Sequence, residues 1–506
     1  MRKNLQHLQL NSTRESAEEE ILVTKPFFTN EGIPIKLDYF ENDLINTELL
    51  DFGAGFPPYL RGTNTTMYIR TPWIIHQSQP FSTASETNSF YKKNLDSGQK
   101  SLSVVFDLPT QKGYDSDNNL TSNDVGKEGI AIDTVEDMKI LFDQISLHEI
   151  SVSIPMNAAI LPLLAFYIVA AEEQGIKAEQ LSGSILNEIL LKNKQNYSAE
   201  YLLTIFECIQ KKIPKFNGNL ISGLPIRKAE TAVAIELAYT MSNGLEYIKA
   251  GLNAGIKIDD LAPRLTFSFG IGMNHFTEIA KLRAARMLWA RLLKPFATKN
   301  PTSLALQIHS KTSEENSTIQ DRFNNITRTL IEASAAVFGG TQSLQTSLLD
   351  ETTEFGARIA KNTQLYLQEE TKITKTVDPW GGSYYVECLT QEIIKNTWKH
   401  IEEIEKLGGL IKAIEANYFK LQIEEAATKK QITINDSIYQ EQLKRLNQVK
   451  ETRNFENVKV SLVKIKESSE NELSDLFELT LEAARNRATI EEISEALENS
   501  SKRFKI

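Results

Sequence analysis

Three polar side chains border apolar runs in the sequence and could do chemistry if those runs form neighbouring strands. Arg264 opens one run, His309 ends the run 304–308, and Gln342 follows two glycines and a threonine at the end of another. A guanidinium binds anions, an imidazole can donate or accept a proton, and an amide both donates and accepts hydrogen bonds. Each also has a structural interpretation, as an ion pair, a core histidine and a helix cap respectively. Pattern alone favours these structural roles over catalytic ones.

The spacing of the other chemically active residues does not match the common site motifs. The six histidines include no His-Glu-x-x-His string and no i, i+4 pair, so we expect no metal ligands. Residues 115–119 resemble the start of a calcium loop, but Leu120 stands at the required glycine and Gly126 at the required glutamate. Gly270 and Gly272 follow an apolar run without the third glycine of a dinucleotide-binding loop, which favours a turn over a phosphate contact.

Apolar runs and helical periods alternate along the middle of the chain. We predict strands at 101–108, 150–156, 218–222, 264–271 and 303–309, and helices at 135–142, 158–174, 228–243, 278–293, 323–337 and 351–370. This alternation predicts an α/β fold with parallel strands and crossover helices. A repeat number near eight favours a closed (β/α)8 TIM barrel over an open sheet.

The barrel is expected to carry an appendage at each end. We predict an N-terminal arm at 1–45, the barrel at 46–400 and a helical extension at 401–506 that is rich in glutamate, lysine, isoleucine and leucine. Within the extension, the lysine- and asparagine-rich segment 429–457 is predicted to be weakly structured. The extension is interpreted as a helical linker rather than a second catalytic domain.

Composition excludes several classes of protein. The 506 residues carry 56 basic and 66 acidic side chains, and this net negative charge argues against a nucleic-acid or anionic membrane surface. The longest apolar run, 158–171, is too short to span a bilayer. Two cysteines and a polar N-terminus favour a reducing, cytoplasmic compartment without a secretory signal.

Longer strings carry a family resemblance. They include Thr-Met-Tyr at 66–68, Phe-Ser-Thr-Ala at 81–84, Gly-Tyr-Asp-Ser-Asp at 113–117, Ala-Pro-Arg-Leu at 262–265, Gly-Gly-Thr-Gln-Ser at 339–343 and Asp-Pro-Trp-Gly-Gly-Ser at 378–383. On these strings the chain resembles the substrate-binding part of the large chain of methylmalonyl-CoA mutase and its acyl-CoA mutase relatives. The resemblance runs from about residue 30 to about residue 428.

The resemblance implies a barrel whose interior binds an acyl-CoA thioester, with a cobalamin-binding domain on its C-terminal face. Chemistry in that family begins by homolysis of the cobalt–carbon bond of adenosylcobalamin, followed by hydrogen abstraction and 1,2-migration of a carbon group. The resemblance implies substrate binding by Thr66, Met67, Arg264, Thr266, Lys311 and Gln342, and makes His309 the candidate catalytic residue. Lys311 replaces a family glutamine.

The chain departs from the family at the reacting centre. Leu224 and Pro225 stand where the family has tyrosine and histidine, and Ser78 stands where it has a tyrosine beside the substrate and the cofactor. The family histidine donates to the thioester carbonyl, whereas proline has no side-chain donor and no backbone N–H. Other replacements are His76 for arginine, Leu186 for glutamine, Lys228 for glutamate, and Glu314 and Glu315 for glycine and tryptophan. In addition, the segment 191–213 is shorter than in the family and lacks the arginine that pairs with the methylmalonyl carboxylate. These replacements together predict that ordinary mutase activity is lost.

A second departure concerns the cofactor. The family's cobalt-ligating motif, Asp-x-His-x-x-Gly, is absent, and the sequence stops at Ile506, about where the cobalamin domain would begin. Adenosylcobalamin is therefore expected only from a partner chain, either a cobalamin-binding protein or a full-length mutase chain, with the protein working as a dimer. Three interpretations stay open: the substrate chain of a mutase, a non-catalytic partner subunit of an active mutase, and an acyl-CoA-binding pseudoenzyme.

Overall fold

The computed structural model describes most of the chain. It covers residues 27–29, 32–36, 38–45, 47, 49–76, 81–96, 99, 101–118, 121–127, 129–155, 159–186, 209, 211–227, 232–253, 255–313, 323–347, 354–416, 418–419, 436–467 and 473–500. Most of the predicted arm, and position 78, lie outside these residues. At the start of the described chain, β1 (Phe27–Phe28) and β2 (Pro34–Ile35) form a small antiparallel ladder.

Eight parallel strands form the central sheet. They are β3 (Ile74–His76), β4 (Ser101–Ser103), β5 (Ser151–Pro155), β6 (Ser182–Leu186), β7 (Lys215–Ser222), β8 (Thr266–Ile271), β9 (Gln307–Thr312) and β10 (Ser343–Gln345). Their order is β3-β10-β9-β8-β7-β6-β5-β4. The two outermost strands meet, because the Ser101 hydroxyl on β4 donates to the Ile75 carbonyl on β3 at 2.9 Å. The sheet is therefore a (β/α)8-like barrel, and the predicted fold class is confirmed.

Helices connect the strands and cover the outside of the sheet. They are α1 (Ala84–Asp96), α2 (Leu108–Lys112), α3 (Val135–Leu141), α4 (Ile160–Glu173), α5 (Leu224–Arg227), α6 (Val233–Asn253), α7 (Ile258–Leu261), α8 (His275–Leu293), α9 (Asn324–Phe338), α10 (Glu354–Glu369), α11 (Tyr384–Lys406) and α12 (Leu410–Glu415). The C-terminal part adds α13 (Asp436–Thr452), α14 (Phe455–Glu467), α15 (Leu473–Arg485) and α16 (Ile490–Ser500). Helix α11 runs through position 400, so the predicted end of the barrel lies within a helix.

Two predicted strands have different bounds in the structure. The strand predicted at 101–108 ends at Ser103, because Asp107 caps α2 by accepting a hydrogen bond from the Thr110 amide at 3.0 Å. The strand predicted at 303–309 begins only at Gln307, after a 3₁₀ turn that Asn300 caps. Both differences come from side-chain caps, which an apolar pattern does not record.

The C-terminal helices pack on the barrel. Helices α15 and α16 cover α4, whose residues from Ile160 to Ala171 are all buried. The Gln442 amide on α13 donates to Asp133 of the barrel at 2.8 Å, and the Ile490 amide donates to the Asp133 carbonyl at 2.8 Å. The prediction of weak structure at 429–457 was therefore wrong for 436–452, where partners from the barrel stabilise a helix of low hydrophobicity. Among the described residues, no helix is long and apolar enough to cross a membrane.

Candidate functional site

Strand β8 establishes which side chains face the barrel interior. Phe267 packs on Trp289 of α8 with 4.6 Å between ring centroids, so it points outward to the helices. Successive residues of a strand point to opposite faces of a sheet. Thr266, Ser268 and Gly270 therefore point inward, and the ladders to β7 and β9 extend this alternation around the barrel.

The interior is lined by small polar side chains instead of the branched aliphatic ones that fill most barrels of this type. Its serines and threonine are Ser101 and Ser103 on β4, Ser151 and Ser153 on β5, Ser182 and Ser184 on β6, Ser222 on β7, Thr266 and Ser268 on β8, and Ser343 on β10. On β6 and β10 the inward residues keep accessible surface while the residues between them are buried. The interior is therefore polar, with accessible surface on β6 and β10, while Ser103, Ser153 and Ser268 are buried.

One interior hydroxyl is left without a protein partner. The Ser268 side chain is fully buried, and within the described residues its Oγ has no hydrogen-bond partner. A buried hydroxyl that is not hydrogen-bonded costs free energy, and native structures usually supply a protein group, water or a ligand. Ser268 thus marks a position where a polar group of a ligand would be stabilised.

His309 lies within a strand and not at its end. It occupies the third position of β9, faces the interior and is buried, and its Nδ1 lies 2.8 Å from the Ser343 hydroxyl on β10. The His76 ring lies edge-on to it, with 5.2 Å between ring centroids. Burial, with smaller contributions from His76 and the charge of Lys311, lowers the pKa of His309 well below its usual value. His309 is therefore a neutral imidazole with one ring N–H at neutral pH.

Arg264 and Gln342 lie at the N-terminal end of the barrel, which corrects the prediction that Gln342 follows a strand. Gln342 precedes β10, and its Oε1 accepts a hydrogen bond from the Ile308 amide at 2.7 Å while its Nε2 donates to Thr63 at 3.2 Å. Arg264 precedes β8, is partly exposed, and donates to the Pro214 carbonyl at 3.3 Å. Among the described residues Arg264 forms no ion pair, so the structural interpretation of it as an ion-pair partner is not observed. It also lies at the end of the barrel opposite to the C-terminal rim.

The segment that carries Thr66 and Met67 is packed over this same N-terminal end. Met67 is buried with a positive φ of 37°, and a Cβ at Gly62 would lie 2.6 Å from its sulfur, so only glycine fits there. The Tyr68 hydroxyl donates to the Thr341 carbonyl at 2.5 Å. Thr66, Met67, Thr266 and Gln342 are therefore grouped at one mouth of the barrel, and Lys311 lies near the other mouth.

Leu224 and Pro225, two of the positions expected to depart from the family, follow β7 at the C-terminal mouth. Leu224 begins α5 directly after β7, and its amide donates to the Ser222 hydroxyl at 3.3 Å, so neither Leu224 nor Pro225 offers a donor to a ligand. Ser78, Lys228, Glu314 and Glu315 lie outside the described residues, as does the side chain of Leu186. Exposed apolar side chains surround this mouth after four of the strands, at Leu108, Met273, Phe323 and Phe355.

A fully buried ion triad, which the sequence pattern did not predict, lies behind this mouth. Lys281 on α8 lies 3.0 Å from Glu236 on α6 and in contact with Glu278 on its own helix, with all three side chains at 0% exposure. The two glutamates accept hydrogen bonds from the Gly270 and Gly272 amides, each at 3.1 Å. The i, i+3 spacing of Glu278 and Lys281 was the available signal, but it is also typical of exposed helices.

A carboxylate cluster lies on the outside of the barrel, within the residues that resemble a calcium loop. Asp115, Asp117 and Glu491 bring one oxygen each within 4.8 Å of one another. The Lys450 ammonium lies 3.2 Å from Asp115 and 2.9 Å from Asp117, so a lysine supplies the compensating charge. The cluster joins α13 and α16 to the barrel and is explained as an ion-pair contact.

The fold defines a (β/α)8-like barrel protein with a polar interior. The family model of methylmalonyl-CoA mutase matches residues 28–438 and 432–503, so the chain belongs to the methylmalonyl-CoA mutase family. Members of this family are isomerases and are in general dependent on adenosylcobalamin.

Curated relatives cover nearly the whole chain. The methylmalonyl-CoA mutase large subunit of Porphyromonas gingivalis is 46% identical over 97% of this chain and 74% of its own length. The large subunit of Propionibacterium freudenreichii is 45% identical over 94% of this chain and 71% of its own length. The methylmalonyl-CoA mutase of Escherichia coli is 44% identical over 99% and 76% respectively. The words "large subunit" imply a partner subunit in some of these species.

Proposed function

We propose that this chain is the acyl-CoA-binding barrel of an adenosylcobalamin-dependent acyl-CoA mutase that works with a second, cobalamin-carrying chain. The observation that carries the proposal is the polar interior, which has accessible surface on β6 and β10 and the buried, unpartnered Ser268 hydroxyl at its middle. A strand of six residues such as β8 spans about 20 Å at about 3.3 Å per residue. That depth suits an extended, hydrogen-bonding chain such as the pantetheine of CoA.

The distribution of charge suggests the orientation of the ligand. Arg264, at the N-terminal mouth, would pair with CoA phosphates through charge-assisted hydrogen bonds. Thr66, Met67, Thr266 and Gln342 would contact the CoA part near the same mouth. His309 and Lys311 would lie beside the acyl group, nearer the C-terminal mouth, where barrel enzymes carry their reacting centres. His309 would hold the substrate as a neutral hydrogen-bonding group.

The C-terminal mouth fits contact with a cofactor-bearing partner but not ligation of its metal. Leu108, Met273, Phe323 and Phe355 offer exposed apolar surface to a docked chain. We infer that a partner chain supplies the cobalt ligand, and the name "large subunit" of two curated relatives supports a partner. When bound, adenosylcobalamin supplies the radical chemistry, while the barrel residues bind and orient the acyl-CoA and exclude water.

A second candidate function is a non-catalytic partner subunit, or a pseudoenzyme that only binds acyl-CoA. Leu224 and Pro225, at the end of β7, favour it because neither has a side-chain donor for a reacting carbonyl. Losing one donor to a reacting oxygen typically costs about 10²–10³ in rate. Turnover therefore separates the two functions, whereas acyl-CoA binding is common to both.

Calorimetric titration of the purified chain with acyl-CoA tests the shared proposal. We expect binding by the wild type, and at least about tenfold weaker binding by Ser184→Leu, because overpacking the interior costs about 1–3 kcal/mol. The control Ser89→Leu changes an exposed serine on α1 and should bind like the wild type. Equal binding by both variants would refute an interior ligand.

A mutase assay then decides between enzyme and partner subunit. The chain is mixed with adenosylcobalamin and a cobalamin-binding protein and supplied with methylmalonyl-, isobutyryl- or 2-hydroxyisobutyryl-CoA. Turnover above background supports the mutase chain and removes the non-catalytic interpretation. Binding without turnover, together with co-purification with a full-length mutase chain, supports the partner subunit.

A further inference from the structure

The interior layer nearest the C-terminal mouth contains a histidine that the family pattern does not have. The ladders place Gly270 on β8 beside Lys311 on β9, Lys311 beside Gln345 on β10, and Gln345 beside His76 on β3. These four residues share one level of the barrel, one level above His309 and Ser343. Gly270 contributes no side chain to this layer.

The imidazole of His76 is held in place without using its nitrogens. Its ring lies edge-on to the His309 ring at an interplanar angle of 83°. Across the described residues, neither ring nitrogen of His76 takes part in a hydrogen bond, and the side chain keeps part of its surface accessible. His309, in contrast, already uses Nδ1 towards Ser343. A ring that is fixed by packing but has its polar atoms available is suited to bind a ligand group.

The charge state of His76 indicates which ligand group it suits. Although part of the His76 side chain is accessible, the protein atoms packed around the ring remove it from bulk water and lower its pKa to about 4, so the ring is neutral at neutral pH and carries one N–H donor. A neutral donor pairs with a neutral acceptor without burying a second charge, whereas a carboxylate would be served better by the neighbouring Lys311. In an acyl-CoA, the neutral acceptor next to the acyl group is the thioester carbonyl oxygen.

The opposite wall of the barrel does not provide this donor. At the end of β7, the Gly223 amide donates to the Ser268 carbonyl at 2.9 Å and the Leu224 amide to the Ser222 hydroxyl at 3.3 Å. Pro225 has neither a backbone N–H nor a side-chain donor. The amides of Gly223 and Leu224 therefore already donate to protein acceptors. On the opposite wall, at β3, the His76 ring N–H is available to a ligand.

We infer that His76 donates a hydrogen bond to the thioester carbonyl of a bound acyl-CoA and so selects a thioester over a ligand without that oxygen. The inference rests on the proposed function, because it takes the acyl-CoA to lie in the barrel interior with its acyl end at the C-terminal mouth. His76 then supplies, from the β3 side, the contact that Leu224 and Pro225 cannot make.

The test compares two ligands that differ in one oxygen. The full chain is titrated with isobutyryl-CoA and with S-isobutyl-CoA, the thioether in which a methylene replaces the carbonyl. A neutral hydrogen bond should make the thioester bind about 3- to 10-fold more tightly. In His76→Phe, which keeps the ring contact with His309 but has no N–H, this ratio should fall to about one while thioether binding stays within about twofold. His76→Gln, which keeps a donor, should retain part of the ratio.

The outcomes separate the two proposals. If the wild type binds neither ligand, the proposed function fails and the role of His76 fails with it. If both ligands bind and His76→Phe keeps the wild-type ratio, the interior site stands and the inference about His76 is wrong. A ratio that is lost in His309→Phe but kept in His76→Phe would assign the carbonyl contact to His309 and overturn the inference.

Discussion

Replacing Lys281 by methionine should destabilise the barrel strongly, because it leaves two buried glutamates without their cation. Lys281, Glu236 and Glu278 all have side-chain exposures of 0%, and Lys281 also donates to the Gly270 carbonyl. Removing one member of a buried ion pair typically costs about 3–5 kcal/mol, because the remaining charge is left in a low-dielectric interior. Lys281→Met should therefore lower the free energy of unfolding by about 3–5 kcal/mol, measured by urea denaturation with tryptophan fluorescence.

Two further variants show whether charge or packing is responsible. The triple variant Glu236→Gln, Glu278→Gln, Lys281→Met removes every charge but keeps amide oxygens to accept from Gly270 and Gly272, and should recover most of the loss. Lys249→Met is the exposed control: Lys249 pairs with Glu405 at 3.0 Å with exposures of 38% and 39%, and should change stability by less than about 1 kcal/mol. A loss below about 1 kcal/mol in Lys281→Met, or no recovery in the triple variant, would refute the reasoning.

Two other predictions concern ligand binding and pH. Arg264→Ala should weaken acyl-CoA binding about tenfold or more in calorimetry, because a hydrogen bond to a charged phosphate is worth about 1.5–3 kcal/mol. The control Arg358→Ala removes an exposed arginine on α10 and should bind acyl-CoA like the wild type. Equal effects of the two variants would contradict the pairing of Arg264 with the CoA phosphates. Burial raises the pKa of Asp107 and of Asp115 from 3.8 to about 7, so the folded chain keeps protons that the unfolded chain loses, and the contribution of each carboxyl to the free energy of unfolding should fall as the pH rises from about 4 to about 7. The lowered pKa values of His76 and His309 act in the opposite direction, so the test is the difference between variant and wild type. In urea denaturation, the free energy of unfolding of Asp115→Asn relative to the wild type should increase from about pH 4 to about pH 7, and a constant difference would contradict the prediction.

The sequence predicted helices better than strands, for a reason that the barrel interior explains. The helix predicted at 278–293 is observed as His275–Leu293, and that at 323–337 as Asn324–Phe338. Strands β3, β6 and β10 were not predicted. In β6 and β10 the inward positions include Ser182, Ser184, Ser343 and Gln345, so the apolar signal is limited to Ile185–Leu186 and to Leu344. A barrel that keeps its interior polar therefore lacks the apolar run by which a buried parallel strand is usually recognised.

The positions of His309 and Gln342 also show that a local sequence pattern does not fix where a strand begins or ends. His309 ends the last purely apolar stretch of its run, but β9 continues through Ser310 and Lys311 because the ladders to β8 and β10 supply backbone partners there. Gln342 follows two glycines and resembled the end of a strand, yet those glycines end α9 and Gln342 precedes β10. In both cases the neighbouring strands, which a local pattern does not contain, determine the bounds.

The sequence by itself indicated the methylmalonyl-CoA mutase family and the alternation of strands and helices. Only the tertiary structure decided that His76 meets His309, 233 positions further along the chain, and that Lys281 lies buried between two glutamates. The physical reason is that a parallel barrel aligns residues by strand register. A periodic sequence indicates which face of a strand a residue occupies. The residue beside it on that face belongs to another strand, which can lie far away in the sequence, so the local pattern does not identify it.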